Sequence, residues 1–600
     1  MTALGWFNSF LKKYKFRMIL GLLLVTITSI SEIVNPKISG VIVDDVMEGG
    51  NYDLLPKLIV ILIVVTLLRS VIKYGFIMMF EGVSQGVLFN MREHVTKKLL
   101  RQDFSFYDRN RTGDLMSRQT GDMNAIRHFL SFVVYSTYEN LLFFVVALVM
   151  IFVVEWRLAL CMVAVLPITI WIALKQRTMV RPAFSNIRER FSSLNTFVQE
   201  NVSGNRVVKA FAKEDYEIEK FVHENDGYRD AELAAADIFK KYVPIFNFLA
   251  SSLTVILYLV GGIMVINKQM SLGQLVQVSG YLWMLNMPMG QLGWRVNDIQ
   301  RFLTSVEKIY DTVKQEPDIE NPENPIVKDP IEGYIEFSNV SFAIDNEEIL
   351  DDVSFKVEPG QTIGIVGATG SGKSTLMNLL CRFYDVSEGQ IKVDGINVKE
   401  MDLYSLRKNI GMAMQEVFLF SDTIRENIAY GRTDASDEEI IAAAKIADAH
   451  DFIMEIPEGY DIIVGERGVG LSGGQKQRIS LARALLKDPS IIILDDTTSA
   501  VDMETEAKIH EALDSINKNY TVFIIAHRIS SVINADQILV LEEGKIVEKG
   551  NHEELMENKG YYHKVFYQQY GDFDRIKDLK RDFKKTDKSP SDMKGGLDLG

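Results

Sequence analysis

The sequence predicts a bundle of six membrane-spanning helices with long cytoplasmic extensions, fused to an α/β domain built around a phosphate-binding loop. Three observations carry this. Of the 600 residues, 47% are hydrophobic, with 33 Phe and 24 Met, and the long apolar runs stop near residue 293. Beyond that point, short apolar runs alternate with helical patterns, the rhythm of a largely parallel sheet. Between one such run and a helical pattern stands GATGSGKS, residues 367–374.

A spanning helix needs roughly 20 mostly apolar residues, and segments 18–38, 58–80, 130–154, 158–174, 243–266 and 272–292 qualify. The connections alternate between short and very long. The long ones are rich in Lys and Arg, including Arg92, Arg101, Arg109 and Arg118 in the first and Arg188, Arg190, Lys240 and Lys241 in the second. Positive charge marks the cytoplasmic side, which places both termini there. Each long connection reads as a helix leaving the membrane, turning near Thr112-Gly113-Asp114 or Ser203-Gly204-Asn205, and returning. Within the spans, Glu32, Arg69, Lys73 and Glu139 either line a substrate path or pair between helices.

Residues 1–17 place Trp6, Phe7, Phe10 and Leu11 beside Lys12, Lys13, Lys15 and Arg17, which suggests either a retained helix lying in the headgroup region or a plain solvated lead-in. The transmembrane domain is expected over 18–315, a Pro-rich linker over 316–330, the α/β domain over 331–570, and a charged, disordered tail over 571–600. A net charge of −15 argues against a nucleic-acid partner, because a polyanion requires a basic surface. The two cysteines, Cys161 and Cys381, cannot form a metal cluster within one chain and read as packing residues.

In the 367–374 motif, Gly367, Gly370 and Gly372 let backbone N–H groups wrap phosphates, with Ala368, Thr369, Ser371 and Thr375 completing the loop and helix start. Lys373 suits the terminal phosphates and Ser374 suits Mg²⁺. A later apolar strand, IIILDD, ends in Asp495 and delivers a carboxylate toward that ion. LSGGQ follows the loop and precedes the strand, contributing Ser472, Gly473, Gly474 and Gln475.

A phosphate loop, LSGGQ opening a helix, and an apolar strand ending in acid together resemble the ATP-binding cassette (ABC) ATPases. Segments 106–118 (FYDRNRTGDLMSR) and 200–214 (ENVSGNRVVKAFAKE) resemble the two coupling-helix regions of ABC exporters. The resemblance covers roughly residues 1–570 and implies half a transporter that binds ATP and Mg²⁺. It further implies that Gln415 is the Q-loop glutamine beside magnesium, His527 the switch histidine, 499–502 the D-loop, and 465–468 an exporter segment near the membrane-domain turns. In such dimers, Ser472 of one chain meets the γ-phosphate held by the other.

Two positions depart from the family pattern. Asp496 stands where competent cassettes carry a glutamate that polarises the attacking water. It is one methylene shorter, about 1.5 Å of reach, and general-base work depends on that distance. Ile344 stands where an aromatic usually stacks on adenine. Slow hydrolysis at the chain's own site is therefore expected, and the chain resembles the degenerate-site subunit of bacterial heterodimeric multidrug exporters. Its intact LSGGQ would complete a competent site on a different half-transporter. A homodimer with two weak sites and a lipid flippase are the alternatives. The expected surroundings are the lipid bilayer of a bacterial cell membrane, with the ATPase domain cytoplasmic and a small amphipathic substrate. The six spans exclude a soluble chromosome or repair ATPase, and intact Gln415, His527 and LSGGQ favour a motor over a cassette that only senses or gates.

Overall fold

The computed structural model describes residues 2–344, 347–465, 470–496, 508–509, 511–512, 520–526 and 528–571. His527, the 499–502 segment, residues 466–468 and the tail beyond 571 lie outside them. The chain divides into two compact units, one of Met1–Arg101 with Arg111–Glu316, the other of Gln102–Asn110 with the chain from Pro317 onward.

The first unit is helical. Among the described residues, five helical stretches are long and apolar enough to cross a membrane, namely Ala3–Glu48, Leu54–Leu99, Thr112–Val154, Trp156–Ser203 and Glu214–Ile266. The sixth expected span opens the helix Leu272–Lys314. It has the length but not, by itself, the apolarity, since Gln274, Gln277 and Asn286 interrupt it. Its start is fixed by a capping box between Ser271 and Gln274, and Asp44 accepts a further hydrogen bond from the Gly273 N–H at 2.6 Å. Close packing there depends on small residues: a Cβ on Gly40 would lie 2.7 Å from the Gly273 carbonyl oxygen.

The helices run well beyond the spans, as the polar connections suggest, and Gly204 divides Leu166–Ser203 from the short helix Asn205–Ala210. The first expected turn is corrected. Thr112 and Gly113 begin a helix, Thr112–Ser117, where the first-turn N–H groups have no ladder partner and glycine costs little. The chain instead turns on either side of the helix Phe104–Arg109.

The N-terminal segment forms the helix Ala3–Leu11. Trp6 and Phe7 are buried, Trp6 against Tyr310 and Phe7 against Phe302 with ring centroids 5.9 and 5.1 Å apart. These two rings are covered by the protein's own helices, whereas Phe10 and Leu11 are half-buried. The charged residues within the spans pair between helices, Arg69 with Glu32 and Lys73 with Glu139.

The second unit contains ten strands among the described residues: β1 Ile335–Ile344, β2 Glu347–Val357, β3 Thr362–Gly367, β4 Glu388–Val393, β5 Ile396–Asn397, β6 Ile410–Ala413, β7 Ile491–Asp495, β8 Thr521–Ile525, β9 Gln537–Glu542 and β10 Lys545–Gly550. One sheet is antiparallel, in the order β2-β1-β4-β5; the other runs β10-β9-β3-β8-β7-β6. In the latter, β9, β3, β8, β7 and β6 are mutually parallel. Parallel strands covered on both faces read as continuous apolar runs, and Ile491, Ile492 and Ile493 are fully buried. This order brings the ends of β3, β6, β7 and β8 to one edge, where ligands bind in open α/β sheets.

Candidate nucleotide site

At that edge β3 ends in Gly367, and the loop leads into the helix Lys373–Leu380. Leu376, Met377, Leu379 and Leu380 are buried, each contributing about 1.5–3 kcal/mol by leaving water, so the helix is anchored while the loop stays open. Ala368, Thr369 and Gly370 are exposed, and Ser374 and Thr375 half-buried. Gly372 caps the helix at φ +98°, a conformation that favours glycine. A Cβ on Gly367 would stand 2.1 Å from the Leu541 carbonyl oxygen.

Lys373 is buried and donates to the carbonyl oxygens of Gly367 at 3.0 Å and Ala368 at 2.7 Å. Burial lowers its pKa, while the charges of Asp495 and Asp496 push the other way. Ser371 Oγ is buried and, among the described residues, has no hydrogen-bond partner. A cationic side chain folded onto its own loop beside an unsatisfied hydroxyl fits an anionic ligand such as the ATP phosphates.

Asp495 closes β7 and is buried. Asp496 follows at φ +49°, sparsely populated for a non-glycine residue. Among the contacts that hold it, its N–H donates to Ile525 O at 3.0 Å, its carbonyl oxygen accepts from Gln477 Nε2 at 3.4 Å, and its Oδ2 accepts from Gln415 Nε2 at 3.4 Å. Gln415 follows β6, which pairs in parallel with β7. The structure therefore brings Gln415, Asp495, Asp496 and Lys373 to one edge. Ser374, Gln415 and Asp495 are the residues that would hold Mg²⁺, which would neutralise phosphate charge.

Ser472 caps the helix Gly473–Leu486 in a capping box with Gln475. Gln475 Oε1 accepts from the Ser472 N–H at 2.8 Å and Ser472 Oγ from the Gln475 N–H at 3.3 Å. Ser472 and Gly473 are exposed, Gly474 and Gln475 half-buried. This helix start presents free N–H groups and positive partial charge to an anion. Ile344 ends β1, 39% exposed.

Sequence reasoning missed two sets of contacts. Gln477, five residues beyond Ser472 on the same helix, supports Asp496 only because the topology returns β7 beside it. The segment Gln102–Asn110 packs within the cassette unit: Phe104 stacks on Phe383 at 4.4 Å and Tyr384 donates to Asp108 Oδ2 at 2.7 Å. Asp103 caps the helix Phe104–Arg109 and accepts from the backbone N–H groups of Asp318 and Ile319.

A family model described as the ABC transporter transmembrane region matches residues 18–289, and one described as ABC transporter matches 350–499. The chain is 41% identical over 569 residues to the uncharacterized ABC transporter ATP-binding protein YknU of Bacillus subtilis (strain 168), covering 94% of this chain and 96% of that one. It is 36% identical over 527 residues to an ATP-dependent lipid A-core flippase of Syntrophus aciditrophicus (strain SB), covering 88% of each. YgaD of Bacillus subtilis (strain 168), provisionally named a multidrug export ATP-binding/permease protein, is 34% identical over 575 residues, covering 94% of this chain and 99% of YgaD. The solved structure of a bacterial Atm1-family ABC exporter with ATP bound superposes with a TM-score of 0.78 at 28% identity, covering 93% of this chain and 99% of that one.

Proposed function

Because the chain belongs to the ABC transporter family, as an exporter half-transporter with its transmembrane region and ATPase domain on one polypeptide, we propose that it exports hydrophobic or amphipathic compounds as the degenerate-site half of a heterodimer. The observation that carries this reading is Asp496, which stands directly after Asp495 at the end of β7. The family mechanism needs a carboxylate within hydrogen-bond reach of the attacking water, and the shorter side chain is already engaged by Gln415. Ser472 and Gln475 remain intact at an exposed helix start, suited to close over a partner's nucleotide. In this assignment Lys373 and Ser371 bind the ATP phosphates, Ser374, Gln415 and Asp495 hold Mg²⁺, and Ile344 flanks the base without stacking. Asp496 and His527 occupy the catalytic positions, with weak activity at this chain's own site. The ATPase domain and both termini face the cytoplasm of a bacterial cell.

The test is to purify the chain alone and with a half-transporter that carries glutamate after its magnesium aspartate. Phosphate release and ATP-dependent dye uptake by inverted vesicles are then measured. The reading expects substantial turnover and uptake only with the partner present. Brisk turnover by the lone chain, unchanged in Asp496→Asn, would end it.

A second reading, a homodimeric lipid flippase, is favoured by the lipid A-core flippase relative. It expects the lone chain to dimerise and to move a fluorescent phospholipid between leaflets of a proteoliposome when given ATP.

A further inference from the structure

The helix that follows the phosphate loop, Lys373–Leu380, has eight residues, about 12 Å of length. At its far end the carbonyl oxygens of Cys381 and Arg382 accept from Arg407, Nε to Cys381 at 3.1 Å and an η nitrogen to Arg382 at 2.6 Å. The same guanidinium lies 5.1 Å from the centroid of the Phe383 ring, the ring that stacks on Phe104. The carbonyl oxygen of Arg407 in turn accepts from Lys487 Nζ at 2.5 Å, and Lys487 also donates to Ile410 O at 2.8 Å. Lys487 is the C-cap of the helix that Ser472 opens.

Burial works against both cations, pushing Arg407 and Lys487 below their ordinary pKa values. What solvates them is a set of carbonyl oxygens, those of Cys381, Arg382 and Arg407 at helix ends, which carry partial negative charge, and that of Ile410 at the start of β6. Arg407 thereby joins three elements of the cassette unit: the phosphate-loop helix, the helix that begins at Ser472, and the Phe104–Arg109 segment. A guanidinium can do this because its planar fork donates in two directions while its face stacks. A lysine cannot do both.

We infer that Arg407, acting through Phe383, is a positioning residue that links occupancy of the phosphate loop to the seating of the Phe104–Arg109 segment. Phosphates drawn onto Lys373 reorder the start of an eight-residue helix. The far end of that helix is fixed to Arg407, so the change reaches the ring on which Phe104 rests. The inference does not depend on the transported compound or on the partner chain.

The experiment uses the full-length chain in detergent and limited trypsin cleavage after Arg109, with and without MgATP. ATP affinity is measured alongside by displacement of a fluorescent ATP analogue. Wild-type cleavage is expected to change at least about fivefold with MgATP, a typical linkage between two sites. Arg407→Lys and Phe383→Leu are expected to abolish that dependence while leaving ATP affinity within about twofold, below the fivefold linkage scale. Phe383→Tyr, which keeps the ring, is expected to retain it. Phe383→Leu leaves every hydrogen bond of Arg407 in place, so it answers even if Arg407→Lys fails to fold. The inference is overturned if MgATP has no effect on wild-type cleavage or if the dependence survives in Phe383→Leu. Loss of ATP affinity in Phe383→Leu would also overturn it, by showing a purely structural role.

Discussion

Gln415 Nε2 donates to Oδ2 of Asp496 at 3.4 Å, so the residue after Asp495 shares a hydrogen bond with the residue proposed to lie beside magnesium. Asp496 is also fixed through its backbone by Ile525 and Gln477. The carboxylate at the base position is thus short, held on several sides and close to β7. In the proposed assignment ATP binding rests on other groups, chiefly Lys373, which allows binding and hydrolysis to be tested separately.

Lys373→Met should weaken ATP binding without unfolding the cassette. In the structure its ammonium is satisfied by two carbonyl oxygens of its own loop. Losing a charge-assisted contact to phosphate costs about 1.5–3 kcal/mol, about 10- to 100-fold in affinity. Displacement of a fluorescent ATP analogue measures it.

Gly372→Ala should destabilise the loop rather than merely crowd it. The residue has φ +98°, and an added Cβ would lie 2.6 Å from Leu350 Cδ2. Strain of about 1–3 kcal/mol is expected, read as a lowered thermal midpoint with ATP absent.

Ile344→Tyr should tighten nucleotide binding if Ile344 flanks the adenine. An aromatic pair adds about 0.5–1.5 kcal/mol, about 2- to 10-fold in affinity. Equal affinity for ATP in the variant and wild type would show that the base lies elsewhere.

Asp103 supplies a pH-dependent contact outside the spans. Burial pushes its carboxyl up, but hydrogen bonds from Ser105 and the N–H groups of Phe106, Asp318 and Ile319 outweigh this and hold its pKa below the ordinary carboxylate value. A group with a depressed native pKa contributes stability that is fully present above its unfolded value and lost as pH falls through the native one. Seating of the Phe104–Arg109 segment should therefore be insensitive to Asp103 titration from pH 7 down to about 4, the unfolded range for Asp, and weaken below it. Asp103→Asn should remove that acid-dependent loss. Hydrogen exchange of the Phe106 amide across this range checks both.

Much of the nucleotide site was legible because its signals are local. The glycine spacing of the phosphate loop, the strand ending at Asp495 and the LSGGQ that opens a helix each lie within a few residues. The short apolar runs beyond residue 293 appear as strands of the largely parallel sheet, since strands buried on both faces carry an unbroken apolar pattern. What escaped depends on chain returns. An amphipathic pattern over Ala3–Leu11 says that one face must be covered, not that Tyr310 and Phe302 cover it. Glycine at 113 read as a turn, whereas the first turn of a helix tolerates it; Asp103, placed to cap Phe106, was the better signal. The pairing of Arg69 with Glu32 and Lys73 with Glu139 likewise needed the helix arrangement.

The most direct measurement is phosphate release by the purified lone chain and by its Asp496→Glu and Asp496→Asn variants. If Asp496 is the reason this site hydrolyses poorly, the wild type turns over slowly and Asp496→Asn changes little. Asp496→Glu then gains at least about 100-fold, the lower end of the range for a positioned general base. Rapid turnover by the wild type, with no gain in Asp496→Glu, would contradict the assignment of a degenerate site.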